Sequence, residues 1–538
     1  MTNEAMTLPA TERAVQLVGP DRLELNNTKP VPVPGPRQLL AKVEAVGLCF
    51  SDLKLLKQFT DHARKSPVTA GIDALALAEM PNYVPGNKPT VPGHEAVVRI
   101  VELGPGVSRY KLGERFLVQT DYRWLPTEKS NAAFGYNFEG ALQEYVLFDE
   151  RVITSPQGDS MLIPVPEDLS ASALALVEPW ACVENAYAEK QRRTLKSGGR
   201  LLVVGEEYVE AARIRKLPGS PSVTTFSVAG TIGELPDRTY DDIVYFGSKP
   251  ETVEGLFAKL ATGGLLIIVQ CGGKFGRPVV SQIGRIHYGG IRIMGTTTSN
   301  PLDALARIPV TPEICPSDKI NIIGAAGPMG TMHVIRNLCQ GVPGVSVYAG
   351  DVSGERRAAL QQLAEPVARA NGVTLQCYDP AADELGLAFD YVVLMAPIPA
   401  LVGQAVAAAD RYAIINIFAG IPAETAAEID LDAYIEKQLY FVGTSGSELR
   451  DMKQVLAKVV SSKLNTDLSV AAVTGLDGAI DGIRAVEKNL MTGKILVYPS
   501  CRDLKLTPLA HLEQDIPLEN GRWNVKSEEA LLKRYARP

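Results

Sequence analysis

The chain has 538 residues, a formal net charge of −7, 46% hydrophobic and 21% charged residues, which are values of an ordinary multidomain globular protein. An acidic chain without a long basic run excludes nucleic acid and anionic membranes as main partners. No apolar run reaches the roughly 20 residues of a membrane span. The N-terminal stretch "MTNEAMTLPATERAV" lacks the basic-then-apolar pattern of an export signal, so we expect no export. Seven scattered cysteines without a C-x-x-C pair indicate reduced thiols, so we expect a cytoplasmic protein.

Two textures follow each other along the chain. From about Arg13 to Asp149, short alternating strands broken by Pro and Gly predict a compact, mostly antiparallel β domain. After Pro164 the period becomes helical, with Ser170 as a helix N-cap. From Gly199 onward, short apolar strands alternate with amphipathic helices, which is typical of a doubly wound parallel sheet. The sequence therefore predicts an α/β protein with a β-rich N-terminal domain.

The parallel-sheet part contains an internal repeat with measurable offsets. The first strands align at an offset of 119, and two later strands both align at an offset of 148: Gly205 with Gly324, Asp242 with Asp390, Gly295 with Gly443. The first copy is therefore 29 residues shorter, and the loss falls between its first strand and Asp242. We interpret this as a tandem duplication that produces two Rossmann-like modules, of which the first is degenerate. The predicted domains are 1–190, a first module 191–305, a second module 306–447, and a C-terminal return segment and tail 448–538, the tail lying on another surface or subunit or remaining loose.

The second module carries a glycine loop, "GAAGPMG", between a strand and a helix. In this context the loop predicts a pyrophosphate on the helix N-terminus, although a glycine turn without a ligand is the alternative. Asp351 ends the next strand, where a carboxylate accepts the ribose hydroxyls and repels a 2′-phosphate. Arg356 and Arg357 follow closely enough to bind such a phosphate, so NAD is favoured and NADP stays open. The predicted cofactor-binding residues are Gly324, Ala325, Gly327, Pro328, Met329, Gly330, Asp351 and Arg356.

The first module lacks that equipment. Glu206 and Glu207 follow Gly205 directly, where anionic phosphates would lie, and the missing segment covers the ribose side. We expect this module to bind no nucleotide and to serve architecture, packing against the second module or against a second subunit.

The β domain contains a second set of chemistry-bearing residues. "GLCFSD" supplies Cys49 and Ser51, "VPGHEAV" supplies His94 and Glu95, and "ALVEPWAC" supplies Glu178. A lone Cys is more often a packing residue, and the string "GHE" is common. Together, a thiolate, an imidazole and carboxylates suit a zinc ion that keeps one position open for water or substrate.

These segments resemble the zinc-dependent medium-chain alcohol and polyol dehydrogenases. The similarity rests on "AKVEAVGLCFSD", "VPGHEAVVRIVELGPGVSRYKLGERF" and "TGKILVYP", and covers about 13–190 and 317–499. "GAAGPMG" and "FAGIP" are most similar to sugar-alcohol and sorbose-phosphate reductase-like members. The resemblance implies a GroES-like catalytic domain in which Cys49, His94 and Glu95 ligate a catalytic zinc. Glu178 would take the fourth place, directly or through water, and Ser51 would relay the proton.

The implied activity is hydride transfer between NAD(P) and a sugar, polyol or sugar phosphate, in a homo-oligomer (dimer or tetramer). The chain departs from the family in having no cysteines after "GERF", so one catalytic zinc and no structural zinc are expected. The 45 residues from Cys49 to His94 exceed the usual spacing, and we expect the extra segment to form a flap over the pocket or a surface decoration. Two alternatives remain, a catalytically inactive nucleotide-binding scaffold or sensor and, less favoured, a zinc-free enone reductase.

Overall fold

The computed structural model describes residues 8–512 and 514–537. Residues 1–7, which belong to the stretch inspected for an export signal, lie outside the described residues. The chain divides into two compact units, one formed by residues up to Ala181 together with those from Ser447 onward, the other by Cys182–Gly446. The four-segment division expected from the sequence stays a prediction. Among the described residues, no helix has the length and apolar character needed to span a bilayer.

The N-terminal part of the first unit is rich in strands. Its strands are β1 Thr11–Gly19, β2 Arg22–Pro30, β3 Gln38–Gly47, β4 Glu95–Leu103, β5 Arg115–Val118, β6 Asp121–Pro126, β7 Asn131–Ala133, β8 Tyr145–Asp149 and β9 Leu162–Pro164. Its helices are α1 Phe50–Gln58, α2 Ala74–Ala78, α3 Glu150–Ile153, α4 Ala171–Ala175 and α5 Val177–Ala188, the last of which continues into the second unit.

The second unit consists of two parallel sheets that correspond to the two copies of the repeat. The first copy contains β10 Arg200–Gly205, β11 Val223–Val228, β12 Tyr240–Phe246, α6 Pro250–Lys259, β13 Leu260–Val269, β14 Val279–Ser281, α7 Gly284–Tyr288, β15 Arg292–Thr296 and α8 Pro301–Leu305. The second copy contains β16 Lys319–Ile323, α9 Pro328–Cys339, β17 Ser346–Gly350, α10 Gly354–Asn371, β18 Thr374–Tyr378, β19 Phe389–Leu394, α11 Ala400–Ala408, β20 Ala409–Ile417, β21 Ala427–Ile429, α12 Leu431–Glu436 and β22 Tyr440–Val442.

Strand order shows where the first copy is short. Its sheet runs β11-β10-β12-β13-β15, and the second sheet runs β18-β17-β16-β19-β20-β22, with all these neighbours parallel. Between β10 and β12 the described chain keeps one strand, β11, together with 3₁₀ turns, and has no counterpart of α9, α10 or β18. The 29-residue difference between the two offsets therefore corresponds to two helices and an edge strand, whereas the second strand, β11, is present in the first copy.

The chain then returns to the first unit with α13 Leu449–Val460, β23 Val470–Thr474, α14 Ala479–Glu487, β24 Lys494–Val497, β25 Thr507–Pro508, α15 Leu509–Leu512 and α16 Val525–Tyr535. The large sheet of this unit is ordered β25-β23-β24-β3-β4-β5-β9, and β8 also pairs with β3. Its centre is antiparallel, because β3 pairs with both β4 and β24 in that sense. These sheets confirm the predicted α/β class with a β-rich domain.

The described part of the tail packs on its own unit. Trp523 is buried, and its Nε1–H donates to Ser172 Oγ at 3.0 Å. The Glu528 carboxylate accepts from the backbone N–H groups of Ala171 and Ser172, at the start of α4. A buried indole with a partner and a carboxylate on a helix N-terminus are stabilising contacts, so the tail completes this unit.

Candidate active site and dinucleotide site

Two neighbouring antiparallel strands bring the predicted zinc ligands together. Gly47 at the end of β3 lies opposite Glu95 at the start of β4, so the residues that follow β3 meet those that precede β4. Cys49, His94 and Glu95 each offer one ligand atom, and these atoms all lie within 4.8 Å of one another. Ligand atoms around one zinc ion lie roughly 3–4 Å apart, given bonds of about 2.0–2.3 Å. The three side chains therefore fit a zinc ion after small adjustments.

The Glu95 carboxylate supports this fit. It is completely buried, and its Oε1 receives the Lys494 ammonium at 2.5 Å. Its Oε2 has no hydrogen-bond partner within the described part of the chain. A buried carboxylate oxygen is costly to leave without a partner, so this atom suits a cation. Burial lowers the pKa of Lys494, but the charges of Glu95 and Cys49 outweigh it and raise that pKa above its usual value.

Asp52 fixes the orientation of the imidazole. His94 Nδ1 lies 3.0 Å from Asp52 Oδ1, and Asp52 Oδ2 accepts the backbone N–H of Cys49 at 3.3 Å. The other ring nitrogen, Nε2, is 3.3 Å from Ser51 Oγ, and the Ser51 hydroxyl donates to Cys49 Sγ at 3.1 Å. A carboxylate behind a histidine is the usual support of a metal ligand, because it sets the tautomer and the ring angle. Nε2 is therefore the nitrogen available to a metal.

Glu178 is also buried, near the start of α5. Burial raises the pKa of its carboxyl to about 7, against the lowering effect of His94, while the charge of Glu95 raises it further. The charges of His94 and Glu95, two of the predicted ligands, thus act on the Glu178 carboxyl. The structure brings three of the four predicted ligands together, and the fourth, Glu178, is buried and experiences the charges of His94 and Glu95.

The glycine loop has the backbone conformation that its sequence predicts. Gly324 has φ +82°, and its N–H donates to the carbonyl of Gly350 at 2.8 Å. A Cβ on Gly330 would lie 2.4 Å from the carbonyl oxygen of Gly324, so only glycine lets α9 pack this close to the loop. A Cβ on Gly327, the N-cap of α9, would meet no atom nearer than 3.9 Å. This side of the loop is clear of protein and suits the close approach of a phosphate.

Asp351 is held against the same loop. It is buried, its Oδ2 accepts the N–H of Ala326 at 3.2 Å, and its Oδ1 accepts the N–H of Ser353 at 3.0 Å. Arg357 forms an ion pair with Asp379 at 3.0 Å and donates to the carbonyl of Asp351. The N–H of Arg356 donates to Ser353 Oγ at 3.3 Å. One of the two arginines that could bind a 2′-phosphate is thus already paired.

Comparison with known proteins finds one family model and several curated relatives that match parts of the chain. Residues 35–157 match the family model of the alcohol dehydrogenase GroES-like domain. The chain is 25% identical over 303 residues to the zinc-type alcohol dehydrogenase-like protein YphC of Escherichia coli, covering 53% of this chain and 78% of that protein. The chain thus carries an alcohol dehydrogenase GroES-like domain, and its relatives support the medium-chain dehydrogenase/reductase superfamily.

Other members of the superfamily are similar over parts of the chain. A mannitol-1-phosphate 5-dehydrogenase of Aliivibrio fischeri is 27% identical over 243 residues, which are 40% of this chain and 56% of that enzyme. The crystal structure of 2R,3R-butanediol dehydrogenase from Bacillus subtilis superposes with a TM-score of 0.52 at 18% identity, covering 91% of this chain and all of that one. The chain spans about half the length of the first curated relatives that it matches. The superfamily fold is thus shared, with a GroES-like domain in the β-rich unit.

The segment between Cys49 and His94 contributes side chains beside the predicted zinc ligands. His62 stacks on Tyr136 with ring centroids 5.1 Å apart, and the Tyr136 ring is 5.8 Å from that of His94. The Arg64 guanidinium lies 5.4 Å above Tyr136 and pairs with Asp121 at 2.8 Å. Burial, reinforced by the charges of Arg64 and Lys54, lowers the pKa of His62 to about 4. The insertion is therefore packed beside these ligands.

The first module has a carboxylate, Glu206, at the point where the second module has its glycine loop. Glu206 follows β10 directly, and its Oε2 pairs with Lys249 Nζ at 2.6 Å. The Tyr245 hydroxyl donates to the other oxygen of the same carboxylate. Directly after β10, the first module thus has a carboxylate that is neutralised by Lys249, whereas the second module has a glycine turn with exposed N–H groups at the same point.

Sequence reasoning missed three side chains that complete the candidate active site. Asp52 stands inside the inspected string "GLCFSD" and could have been found as a carboxylate at the third position of a helix that begins after Cys49. Lys494 stands in "TGKILVYP" but carries no local signal of its partner. Tyr136 lies in a loop, and nothing in its neighbourhood predicts that its ring reaches His94.

Proposed function

We propose that the chain is a zinc-dependent dehydrogenase that transfers a hydride between NAD(P) and the alcohol group of a sugar, polyol or sugar phosphate. One observation carries the proposal. The thiol, imidazole and carboxylate of Cys49, His94 and Glu95 lie together, and the Ser51 hydroxyl contacts two of these three side chains. The names of the relatives, an alcohol dehydrogenase-like protein and a mannitol-1-phosphate 5-dehydrogenase, support the class of reaction and of substrate.

The residues around the cluster have distinct tasks in this proposal. Cys49, His94, Glu95 and Glu178 would hold the metal, and Asp52 and Lys494 keep two of these ligands in position. When bound, zinc would polarise the substrate oxygen and lower the pKa of the alcohol, and the nicotinamide would take up the hydride.

Ser51 would move the proton. Oxidation of an alcohol releases the hydroxyl proton as well as a hydride, so a hydroxyl beside the ligands is needed to carry that proton away. Ser51 Oγ is suitably placed, because it lies between Cys49 Sγ and His94 Nε2 and is only half-buried. In the reverse direction the same hydroxyl would return a proton to the oxygen of a reduced ketose.

The second module would bind the dinucleotide. The open side of Gly327 would accept a close phosphate, the N-terminus of α9 would supply N–H groups, and Asp351 would accept the ribose hydroxyls. NAD is favoured over NADP because Asp351 would repel a 2′-phosphate and Arg357 is occupied by Asp379.

The test combines metal content with turnover. Purified protein should contain about one zinc per chain and reduce NAD or NADP with members of a panel of polyols and sugar phosphates. Cys49→Ser should abolish both zinc binding and turnover, whereas Cys271→Ser, at an exposed cysteine of the second unit, should change neither. Full activity of the Cys49→Ser variant, or reduction of an enone by metal-free protein, would refute the zinc mechanism.

A further inference from the structure

The two copies of the repeat pair with each other through equivalent strands. β14 and β21 are related by the offset of 148, since Val279–Ser281 corresponds to Ala427–Ile429. They pair antiparallel, with Val279 opposite Ile429, Val280 opposite Glu428, and Ser281 opposite Ala427. Val280 and Glu428 are equivalent positions that face each other. This is the pattern of an isologous contact about a two-fold axis, here inside one chain.

The helices on either side repeat the reciprocal relation. A Cβ on Gly295 of β15 would lie 2.4 Å from the Ile435 side chain of α12. A Cβ on Gly443, which is equivalent to Gly295, would lie 2.9 Å from His287 of α7, which is equivalent to Ile435. Each module therefore presents the same glycine to the same helix of the other module.

One apolar core fills the contact, and it contains both members of three further equivalent pairs. The pairs Ile283 and Leu431, Ile286 and Tyr434, and Ile293 and Phe441 are all buried in a single cluster. The Tyr434 hydroxyl donates to the carbonyl of Ile293 at 2.8 Å and accepts the N–H of Phe441 at 3.1 Å. It thereby joins equivalent positions on the two edge strands, β15 and β22. Such a buried, apolar contact is typical of obligate subunit interfaces.

The contact fits the first module, but it would not accept a second copy of the second module in the same place. Gly284 packs so closely that a Cβ there would lie 1.9 Å from the carbonyl oxygen of Pro422. The equivalent residue of the second module is Asp432, whose carboxylate accepts the N–H groups of Phe275 and Gly276 in the first module. If a second copy of the second module replaced the first module, its Asp432 would enter the space beside Pro422 that admits only glycine.

Charge acts in the same direction. In the chain as it is, Glu428 lies opposite Val280, and both side chains are exposed. Two copies of the second module paired through β21 would place Glu428 opposite Glu428, and like charges directly opposite each other on antiparallel strands are destabilising. Steric and electrostatic mismatch against the wrong partner is how interfaces gain specificity.

We propose that the first module is a built-in partner that replaces a second copy of the chain at the β21–β22 edge, and that this edge is closed to intermolecular pairing. Any homo-oligomer of the chain would then use other surfaces. This inference concerns the second unit alone and holds whether or not the proposed activity does.

Disulfide trapping in the full-length protein tests it. Cα atoms opposite each other in an antiparallel pair are about 4.5–5.5 Å apart, which is within the range of a disulfide. Val280→Cys/Glu428→Cys should close an intrachain disulfide on oxidation, seen as a monomer of altered mobility on a non-reducing gel and as a loss of two hydrogens in the intact mass. Glu428→Cys alone should stay a monomer under the same conditions, with the unsubstituted chain as the control for its native cysteines. A disulfide-linked dimer of the single variant would overturn the proposal, and so would the absence of an intrachain disulfide in the double variant.

Discussion

The ion pair between Lys494 and Glu95 allows a quantitative prediction. Both side chains are buried, with exposed fractions of 5% and 0% and an N–O distance of 2.5 Å. Lys494→Met keeps the aliphatic volume but leaves the Glu95 carboxylate buried without the ammonium that pairs with it in the metal-free protein. Removing one partner of a buried pair costs about 3–5 kcal/mol, because the remaining charge has lost its solvation and gained nothing in return. We therefore expect the free energy of unfolding of the first unit to fall by about 4 kcal/mol.

Tryptophan fluorescence during urea unfolding in the presence of a chelator measures this loss. All three tryptophans of the chain, Trp124, Trp180 and Trp523, belong to the first unit, so the signal reports on that unit alone. Lys463→Met, at an exposed lysine of the same unit, is the matched control and should change the free energy by less than about 0.5 kcal/mol.

A double-mutant cycle separates the pair from general effects of substitution. Glu95→Gln also breaks the pair, and the double variant Lys494→Met/Glu95→Gln should be less destabilised than the sum of the single variants, since no buried charge remains. If Lys494→Met lowers the free energy of unfolding by less than about 1 kcal/mol and the effects of the two substitutions are additive, then Lys494 does not neutralise Glu95 and the prediction is wrong.

Three further outcomes test other parts of the molecule. Val280→Glu should speed amide hydrogen exchange in β14 relative to Val280→Lys, because glutamate would oppose Glu428 and lysine would attract it, a difference of about 0.5–1 kcal/mol; equal exchange rates would contradict the pairing of β14 with β21. Asp52→Asn should weaken zinc binding about 10–100-fold in a chelator competition, since the support of His94 is altered, and unchanged affinity would remove Asp52 from that role. Asp351→Ala should weaken NAD binding and narrow the preference over NADP in a fluorescence titration, and an unchanged ratio of affinities would show that Asp351 does not select the cofactor.

The sequence allows the broad organisation to be predicted because that organisation depends on local patterns. Alternating strands, helical periods and a glycine loop each occupy a short window, and the offset of 148 follows from counting. Cys49 and His94 could be proposed as partners because each stands in a recognisable string. The same strings leave open whether the four predicted ligands act on a metal, so those roles stay predictions.

What could not be predicted depends on contacts between distant segments. Lys494 meets Glu95 across 399 residues, and neither position has a pattern that names the other. The pairing of β14 with β21 rests on two three-residue strands, too short to be distinguished from loop in a sequence. The repeat is visible in the sequence. Whether the first module packs on the second module or on another subunit could be decided only from the register of the strands in the structure.

The discontinuity of the first unit has a consequence for the newly made chain. Its N-terminal part is synthesised before the 265 residues of the second unit, and its central strand β3 acquires its neighbour β24 only after they have been made. At ribosomal rates of about 5–20 residues per second, Glu95 waits roughly 20–80 s for Lys494 to be synthesised. The second unit can meanwhile fold, since all its strands have emerged first. The incomplete first unit thus spends most of translation without the strand that pairs with β3, and we expect chaperones to bind the nascent chain during this interval.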